Sequence, residues 1–291
     1  MTLANLIGLA IQLSMAIVIF CVALNARFDD VVYLLRRPGL MARSLLSMVV
    51  VMPLLAVGIA IAFDLHPAVE AALVASALSP VPPILPGKQI KAGGQSSYVI
   101  GLLVLTALVA IVYVPVAAHV LGRVFDRPID VDPLRVAGIV GTSMLLPVLA
   151  GMLLRRVAPA LAGRIDHPLS LAATGVLVVA LIPILVKEWS PVLALLGNFT
   201  VVTMIVFALV GLAVGHVLGG PDPDNRSALA MATAARHPAV ALAITHNAVD
   251  QPGVMAAVLL TLIVASVVTG PYVKWRWRAH EAALPQTPQE P

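Results

Sequence analysis

The sequence predicts an all-α polytopic membrane protein with about nine transmembrane helices. Of its 291 residues, 60% are hydrophobic and 11% are charged, and the mean hydropathy is +1.01. Soluble domains carry about 25% charged residues, so the composition excludes an ordinary soluble protein. Most of the chain consists of apolar runs that reach the roughly 20 residues needed to cross a bilayer. We expect one transmembrane domain over residues 1–280 and a disordered tail over residues 281–291.

The apolar runs and the charges between them define the predicted spans and their orientation. The first run lacks a basic leader and exceeds the apolar part of a signal peptide, so it is predicted to be a span. Of the 18 Lys and Arg residues, thirteen then fall on one side, four on the other, and Arg236 within a span. Because basic loops face the cytoplasm, we expect an inner-membrane protein with its N-terminus outside and its C-terminus in the cytoplasm. The predicted spans are residues 5–25, 42–63, 68–90, 97–121, 134–154, 169–186, 191–218, 226–248 and 252–274.

The composition also argues against several classes of function. The net charge is +4 and the pI is near 9.6, but the basic residues lie between apolar runs, so nucleic acid is not a predicted partner. Cys21 is the only cysteine, which allows no internal disulfide and gives too few sulfur ligands for a zinc site. No metalloprotease motif, phosphate-binding motif or intramembrane Asp pair occurs. We therefore predict that the protein is not an enzyme and has no catalytic residue, metal site or cofactor.

Two of the predicted spans contain prolines at mid-span. The third span holds four prolines within seven residues, namely Pro80, Pro82, Pro83 and Pro86. In the eighth span, Pro238 follows directly after Arg236 and His237. Proline removes a backbone donor and clashes with the preceding turn, so both helices are predicted to be broken. Irregular backbone is tolerated in a membrane only inside protein or beside a wet cavity, and such paired breaks point to a transporter's binding site. We expect these prolines to line a cavity.

Internal similarity predicts two related halves, near residues 1–125 and 130–280. The segment 28–40 places apolar residues near helical spacing with charges between them, which is typical of a short interfacial helix. The segment 158–171, after the fifth span, is its expected counterpart. Each half then contains one interfacial helix and one broken span.

Three sequence features together resemble the bile acid:sodium symporter family over nearly the whole chain. They are the Arg-Arg-Pro linker that ends at Pro38, the broken third span followed by Lys91-Ala-Gly-Gly94, and the broken eighth span followed by an apolar terminal span. The resemblance implies two inverted repeats whose broken helices cross at the centre and divide a panel domain from a core domain. It also implies transport of a small solute across the membrane.

The family's sodium-binding motifs are replaced at the matching positions. The first motif, Cys-Pro-Gly-Gly-x-x-Ser-Asn, falls on Ser79–Pro86, and the second, Glu-x-Gly-x-Gln-Asn, falls on Ala232–His237. Sodium needs several oxygen ligands, and Leu85 and Ala232 supply no side-chain oxygen. We therefore expect transport without sodium. The alternative is a register shifted by a few residues, which would bring the serines at 96–97 into the site and restore sodium coupling.

Arg236 is the main candidate for binding a substrate. An arginine at the centre of a span costs about 2.5–3.5 kcal/mol to insert, and its planar group binds carboxylates through two hydrogen bonds. We expect an organic anion as substrate, with His237, Thr233 and Ser79 nearby. The alternative for Arg236 is a structural role, in which it bonds to carbonyls freed by the helix break. His237 could act as a proton relay, and the alternative is an uncharged, buried histidine.

Two lysines and the overall function have alternative interpretations as well. Lys88 and Lys91 follow the first break, where they would attract anions to the inner mouth or simply anchor the helix at the cytoplasmic surface. A membrane scaffold or sensor that transports nothing is the competing function, and it requires neither a cavity nor Arg236. The expected partners of a transporter are a small-molecule substrate and the lipid bilayer.

Overall fold

A computed structural model describes residues 3–125, 131–248 and 253–283, and the chain is helical over most of these ranges. Eight helical stretches are long and apolar enough to cross a membrane, and a shorter apolar helix, Pro67–Leu78, begins one further, broken span. The predicted fold class is therefore confirmed. The α-helices are α1 (Leu3–Ala23), α2 (Phe28–Val31), α3 (Pro38–Leu45), α4 (Met52–Ala62), α5 (Pro67–Leu78), α6 (Leu85–Lys91), α7 (Ser96–Val124), α8 (Pro133–Val140), α9 (Leu146–Val157), α10 (Pro159–Ala194), α11 (Thr200–Leu218), α12 (Pro223–Ala234), α13 (Pro238–Ala248) and α14 (Val254–Ala283).

Two of the continuous spans contain a π-helical turn in their middle. Leu46–Val51 joins α3 to α4, and Gly141–Leu145 joins α8 to α9. Single π turns of this kind occur frequently at functional sites. A proline follows each of them closely, Pro53 in the first span and Pro147 in the second. Because proline has no N–H, each π turn contains a backbone carbonyl that lacks its usual helical donor.

The helices pack in two groups. The first group consists of α1, α8, α9 and α10, in which α1 packs against both α9 and α10. A hydrogen bond of 2.6 Å from Asn25 Nδ2 to Asp166 Oδ2 joins the end of α1 to α10. The second group contains α3–α5, α7 and α11–α14. The two groups meet where α7 and α13 contact α8, α14 contacts α10 and α6 contacts α1. This division corresponds to the panel and core that the resemblance implies.

A ridge of glycines holds α12 tightly against α11. Gly211, Gly215 and Gly219 lie four residues apart on one face of α11 and its C-terminal end. A Cβ atom on Gly215 would lie 2.5 Å from Ala230 Cα, and one on Gly211 would lie 2.9 Å from Ala234 Cα. Small residues of this kind let helix backbones approach closely in membranes. The ridge therefore fixes the position of α12 along its whole length.

Two predicted features differ in the structure. The segment 158–171 is not a separate interfacial helix, because it forms the first part of the 36-residue helix α10. That helix is about 54 Å long at 1.5 Å per residue, so it extends beyond a hydrocarbon core of about 30 Å. Pro168 lies inside α10. Of the predicted tail, residues 281–283 belong to α14, and the remainder lies outside the described residues.

Candidate functional site at the helix crossing

The first break separates α5 from α6. Helix α5 ends at Leu78, the backbone of Ser79 is extended, and α6 begins only at Leu85. Pro80, Pro82 and Pro83 fall in this interval, where they supply no N–H donors, and all three are buried. The predicted interruption of the third span is confirmed.

The second break is shorter and separates α12 from α13. Helix α12 ends at Ala234, Ala235 is extended with φ −106° and ψ 139°, and α13 begins at Pro238. Proline is favoured at the first position of a helix, where no donor is required. Arg236 and His237 therefore lie in the gap between two half-helices, and both are buried, with 7% and 1% of their surface exposed.

The two breaks touch each other. The backbone N–H of His237 donates a hydrogen bond of 3.0 Å to the carbonyl of Pro80. Each broken span thus satisfies a backbone group of the other, which explains how extended backbone is tolerated in the middle of a membrane protein. The prediction that the third and eighth spans cross at their breaks is confirmed.

Arg236 is bound by backbone carbonyls at this crossing. Its Nη1 donates to the carbonyl of Ser79 at 3.1 Å, and its Nη2 donates to the carbonyl of Met48 at 3.4 Å. In a helix the Ser79 carbonyl would accept from the residue four positions later, but that residue is Pro83, which has no N–H. Arg236 therefore compensates a carbonyl that the first break leaves without its helical donor.

The Met48 carbonyl is available because of the first π turn. The N–H of Met52, its usual α-helical partner, bonds instead to Ser47, five residues earlier. The next possible donor belongs to Pro53, which has none. A second carbonyl of this turn, that of Val49, accepts a hydrogen bond of 2.8 Å from the hydroxyl of Tyr113. The π turn thus presents carbonyl oxygens to side chains from elsewhere in the core.

Hydroxyl groups near the crossing also link separate helices. The Oγ1 atom of Thr233 lies 3.1 Å from the Oγ atom of Ser47, so α12 is bonded to the first π turn. Ser79 Oγ donates to the carbonyl of Ala75 in its own helix at 2.8 Å. The structure therefore brings Thr233, Ser79 and Arg236 together at the crossing.

His237 faces the other group of helices. Its Nε2 atom lies 3.3 Å from the Oγ atom of Ser143, which belongs to the second π turn. Its Nδ1 atom is buried and has no hydrogen-bond partner. The two π turns therefore lie against the two sides of the crossing, the first beside Thr233 and Arg236 and the second beside His237.

A cavity of about 550 Å³ separates the two groups of helices next to His237. Apolar side chains of α1, α10, α13 and α14 form most of its wall. Its polar lining residues, among those described, are Gln12, Arg135, Thr142, Ser143 and His237, and its lining includes no Asp or Glu. A volume of 300–1,000 Å³ with few polar groups is typical of small-molecule sites.

The cavity lies in one half of the bundle. It is lined by residues 9–16 of α1, by α8 and the second π turn, by the second half of α10, and by the beginnings of α13 and α14. Helices α1, α8 and α14 begin the first, fifth and ninth spans. Because successive spans alternate in direction, these three helices run the same way across the membrane. The cavity is therefore on the side of the N-terminus, away from α6.

The predicted site residues are distributed between this cavity and the core. Pro82 and Pro238 line the cavity together with His237. Arg236 lines two smaller voids instead, of about 20 and 10 Å³, and the first of them shares Pro238 with the cavity. Direct contact between Arg236 and a substrate stays a prediction.

The remaining predicted residues lie outside the cavity. Pro80 lines the smallest void beside Arg236, and Pro83 and Pro86 are buried in the core. Lys88 and Lys91 are exposed on α6, in the other half of the bundle.

Three polar residues of the cavity lining were not predicted as site residues, namely Arg135, Thr142 and Ser143. Arg135 was counted only as a basic residue at a span end. A signal was present, because residues 135, 138, 139, 142 and 143 follow helical spacing, and all five line the cavity. Polar residues repeated at this spacing within an apolar span indicate a face that is not exposed to lipid.

Comparison with known proteins agrees with the fold. The model of the sodium bile acid symporter family matches residues 12–190 of the chain. This range includes most of α1, all of α2–α9 and most of α10, together with the first break. A search among curated proteins gave no match.

Proposed function

The chain belongs to the sodium bile acid symporter family, and on that basis we propose that it is a secondary transporter that moves an organic anion across the membrane by alternating access. Members of this family are transporters, and the chain shares their integral membrane character. The observation that carries the proposal is the 550 Å³ cavity between the two groups of helices, which reaches the crossing at His237 and Pro238.

The charge of the cavity favours an anion. Arg135 is its permanently charged residue, and the described lining has no carboxylate to neutralise it. Helix α13 begins at Pro238, which lines the cavity, and the N-terminal end of a helix carries a partial positive charge. A carboxylate bound between these two features would gain charge-assisted hydrogen bonds from Arg135.

The wall of the cavity indicates the rest of the substrate. Most of the lining is apolar, including Leu13, Leu177, Leu181 and Leu259. A purely hydrophilic anion would leave this surface unused, whereas an apolar body gains about 25 cal/mol for each Å² removed from water. We therefore propose an amphipathic organic acid, with its carboxylate toward Arg135 and its apolar part along α10 and α14.

The two groups of helices supply the elements for alternating access. On the side of the N-terminus they are separated by the cavity, whereas in the other half α6 packs against α1, where a Cβ on Gly87 would lie 3.9 Å from Val22. A rigid-body movement of one group against the other is the usual way to expose such a site to the opposite side. With the predicted orientation, this conformation has its cavity toward the outside.

The test is binding of organic acids to the purified protein. A series of monocarboxylates with increasing apolar size, each paired with its uncharged amide, is screened by thermal shift in detergent and then by uptake into proteoliposomes. We expect the acids to bind and the amides to fail. If no acid binds or is taken up, the transport function proposed here is refuted.

Substitution of Arg135 locates the anion. A hydrogen bond to a charged group contributes about 1.5–3 kcal/mol, so Arg135→Gln is expected to weaken binding by about 10- to 150-fold. Arg123→Gln is the matched control, because Arg123 is exposed at the end of α7 and does not line the cavity. Equal affinities of wild type and Arg135→Gln would show that the anion binds elsewhere.

A further inference from the structure

We propose that the guanidinium of Arg236 is a tethered cation that takes the place of a coupling ion at the helix crossing, and that removing its charge creates a sodium site there. As a coupling device it depends on the transport function proposed above, but its effect on stability is measurable without any substrate. The proposal concerns the core side of the crossing, not the cavity beside His237.

The C-terminal ends of two half-helices converge on Arg236. Helix α5 ends at Leu78 and α12 ends at Ala234, so the carbonyl ends of both are directed toward the crossing. A helix C-terminus carries a partial charge of roughly −0.5. In transporters with broken helices, such ends and the unwound carbonyls beside them coordinate cations. Arg236 follows Ala234 by two residues and bonds to the carbonyl of Ser79, the first residue after α5.

The groups around the guanidinium are neutral oxygens. The carbonyls of Ser79 and Met48 accept its hydrogen bonds. Hydroxyl-bearing residues line the two small voids that it shares, Ser76 and Thr261 in one and Thr106 in the other. Within the described ranges, no carboxylate lies within 4.0 Å of it. Carbonyl and hydroxyl oxygens are the ligands that hard cations take from proteins, so the site is built for a positive charge.

The space beside Arg236 is too small for an organic anion. The two voids measure about 20 and 10 Å³, and one water needs about 10–15 Å³ of such volume. The Nε atom of Arg236 is buried without a protein partner. The described polar groups that face the guanidinium are therefore carbonyl and hydroxyl oxygens.

The consequence concerns coupling. A free cation can leave this position during a transport cycle, whereas Arg236 is attached to the chain and cannot. In a family named for sodium symport, a permanent positive charge at the crossing keeps the two breaks joined without sodium. The same charge excludes a second cation from these oxygens by repulsion.

The test is thermal unfolding of the purified protein in detergent, in sodium chloride and in choline chloride at equal ionic strength. We expect the wild type to unfold at the same temperature in both salts. Arg236→Gln is expected to be destabilised in choline and stabilised by sodium, by about 3–6 °C when sodium is tenfold above its Kd. Arg236→Lys retains the positive charge and is expected to be insensitive to sodium.

Arg226→Gln is the matched control, because Arg226 lies in α12, the helix that leads into Arg236, and its Nε donates to the backbone carbonyl of Gly220, away from the crossing. Its unfolding temperature is expected to be the same in both salts. Stabilisation of the wild type by sodium would overturn the proposal, and so would an Arg236→Gln protein that sodium does not stabilise. Failure to recover Arg236→Gln in either salt would also count against it, because sodium should rescue a site that lacks only a cation.

Anion binding separates this role from direct contact with the substrate. If Arg236 acts only as a tethered cation, sodium should restore organic-acid binding to Arg236→Gln, whereas loss of binding in both salts would assign Arg236 to the substrate itself. A second outcome separates the two proposals. If sodium stabilises Arg236→Gln but no acid binds to the wild type, the tethered cation stands and only the transport proposal is refuted.

Discussion

Replacement of Gly215 by alanine tests whether the close contact between α11 and α12 determines the position of the crossing. The added Cβ would lie 2.5 Å from Ala230 Cα and 2.6 Å from the carbonyl oxygen of Leu229. Carbon atoms in contact are normally about 3.5–4.0 Å apart, so the two backbones would have to separate locally by about 1 Å. Since both neighbouring atoms belong to backbone, no side-chain rotation can relieve the contact.

The same substitution at Gly175 provides the control. Gly175 is exposed on α10, and a Cβ there meets no atom within 4 Å. Replacing glycine by alanine inside a helix gains about 1 kcal/mol from backbone preference alone, and this gain applies to both sites. Overpacking costs about 1–3 kcal/mol, so Gly215→Ala is expected to be less stable than Gly175→Ala by that amount.

Thermal unfolding in detergent measures the difference. For a chain of this size we expect the Tm of Gly215→Ala to lie about 2–12 °C below that of Gly175→Ala. Displacement of α12 should also weaken organic-acid binding, because α12 leads directly into Arg236 and His237. Equal Tm values for the two variants would mean that α11 and α12 are farther apart than described and that the glycine ridge does not fix the crossing.

Two further predictions concern the first π turn and the topology. Tyr113→Phe removes the hydroxyl that bonds the Val49 carbonyl, so we expect a loss of about 1–3 kcal/mol in the free energy of unfolding; an unchanged Tm would mean that the carbonyl finds another donor. A single reactive cysteine at position 280, introduced as His280→Cys in a Cys21→Ser background, should be labelled only from the cytoplasmic side. Labelling by an impermeant reagent from outside would refute the predicted orientation.

The breaks in the helices were predictable because their cause is local. Pro80, Pro82 and Pro83 remove backbone donors wherever the chain runs, so the interruption follows from the sequence itself. The crossing of the two broken spans was expected only through the family resemblance, since nothing local to either segment specifies its partner. Segment 158–171 and the predicted span 169–186 merge into α10 because long membrane helices accommodate proline, in this case Pro168.

The surroundings of Arg236 could not be predicted in the same way. Arg236 could have been predicted to bind either an anion or freed backbone carbonyls. One of the carbonyls that it binds, that of Met48, is available only because a π turn precedes Pro53. Most of the apolar cavity wall could not be predicted, because the spanning parts of α1 and α10 are mainly apolar. Their periodicity does not distinguish a cavity wall from a lipid-facing surface. Arg135 and Ser143 acquire their meaning only when α8 is placed beside α13.

The π turns also affect how this chain is aligned with its relatives. A π turn closes its hydrogen bond one residue later than an α turn, so it is equivalent to one residue inserted into an otherwise regular helix. Relatives that lack the turn at Leu46–Val51 or Gly141–Leu145 would need a one-residue gap at that point. Without the gap, every residue on the far side of the turn would be compared with a neighbour about 100° away around the helix, and lipid-facing positions would be aligned with positions that face the crossing.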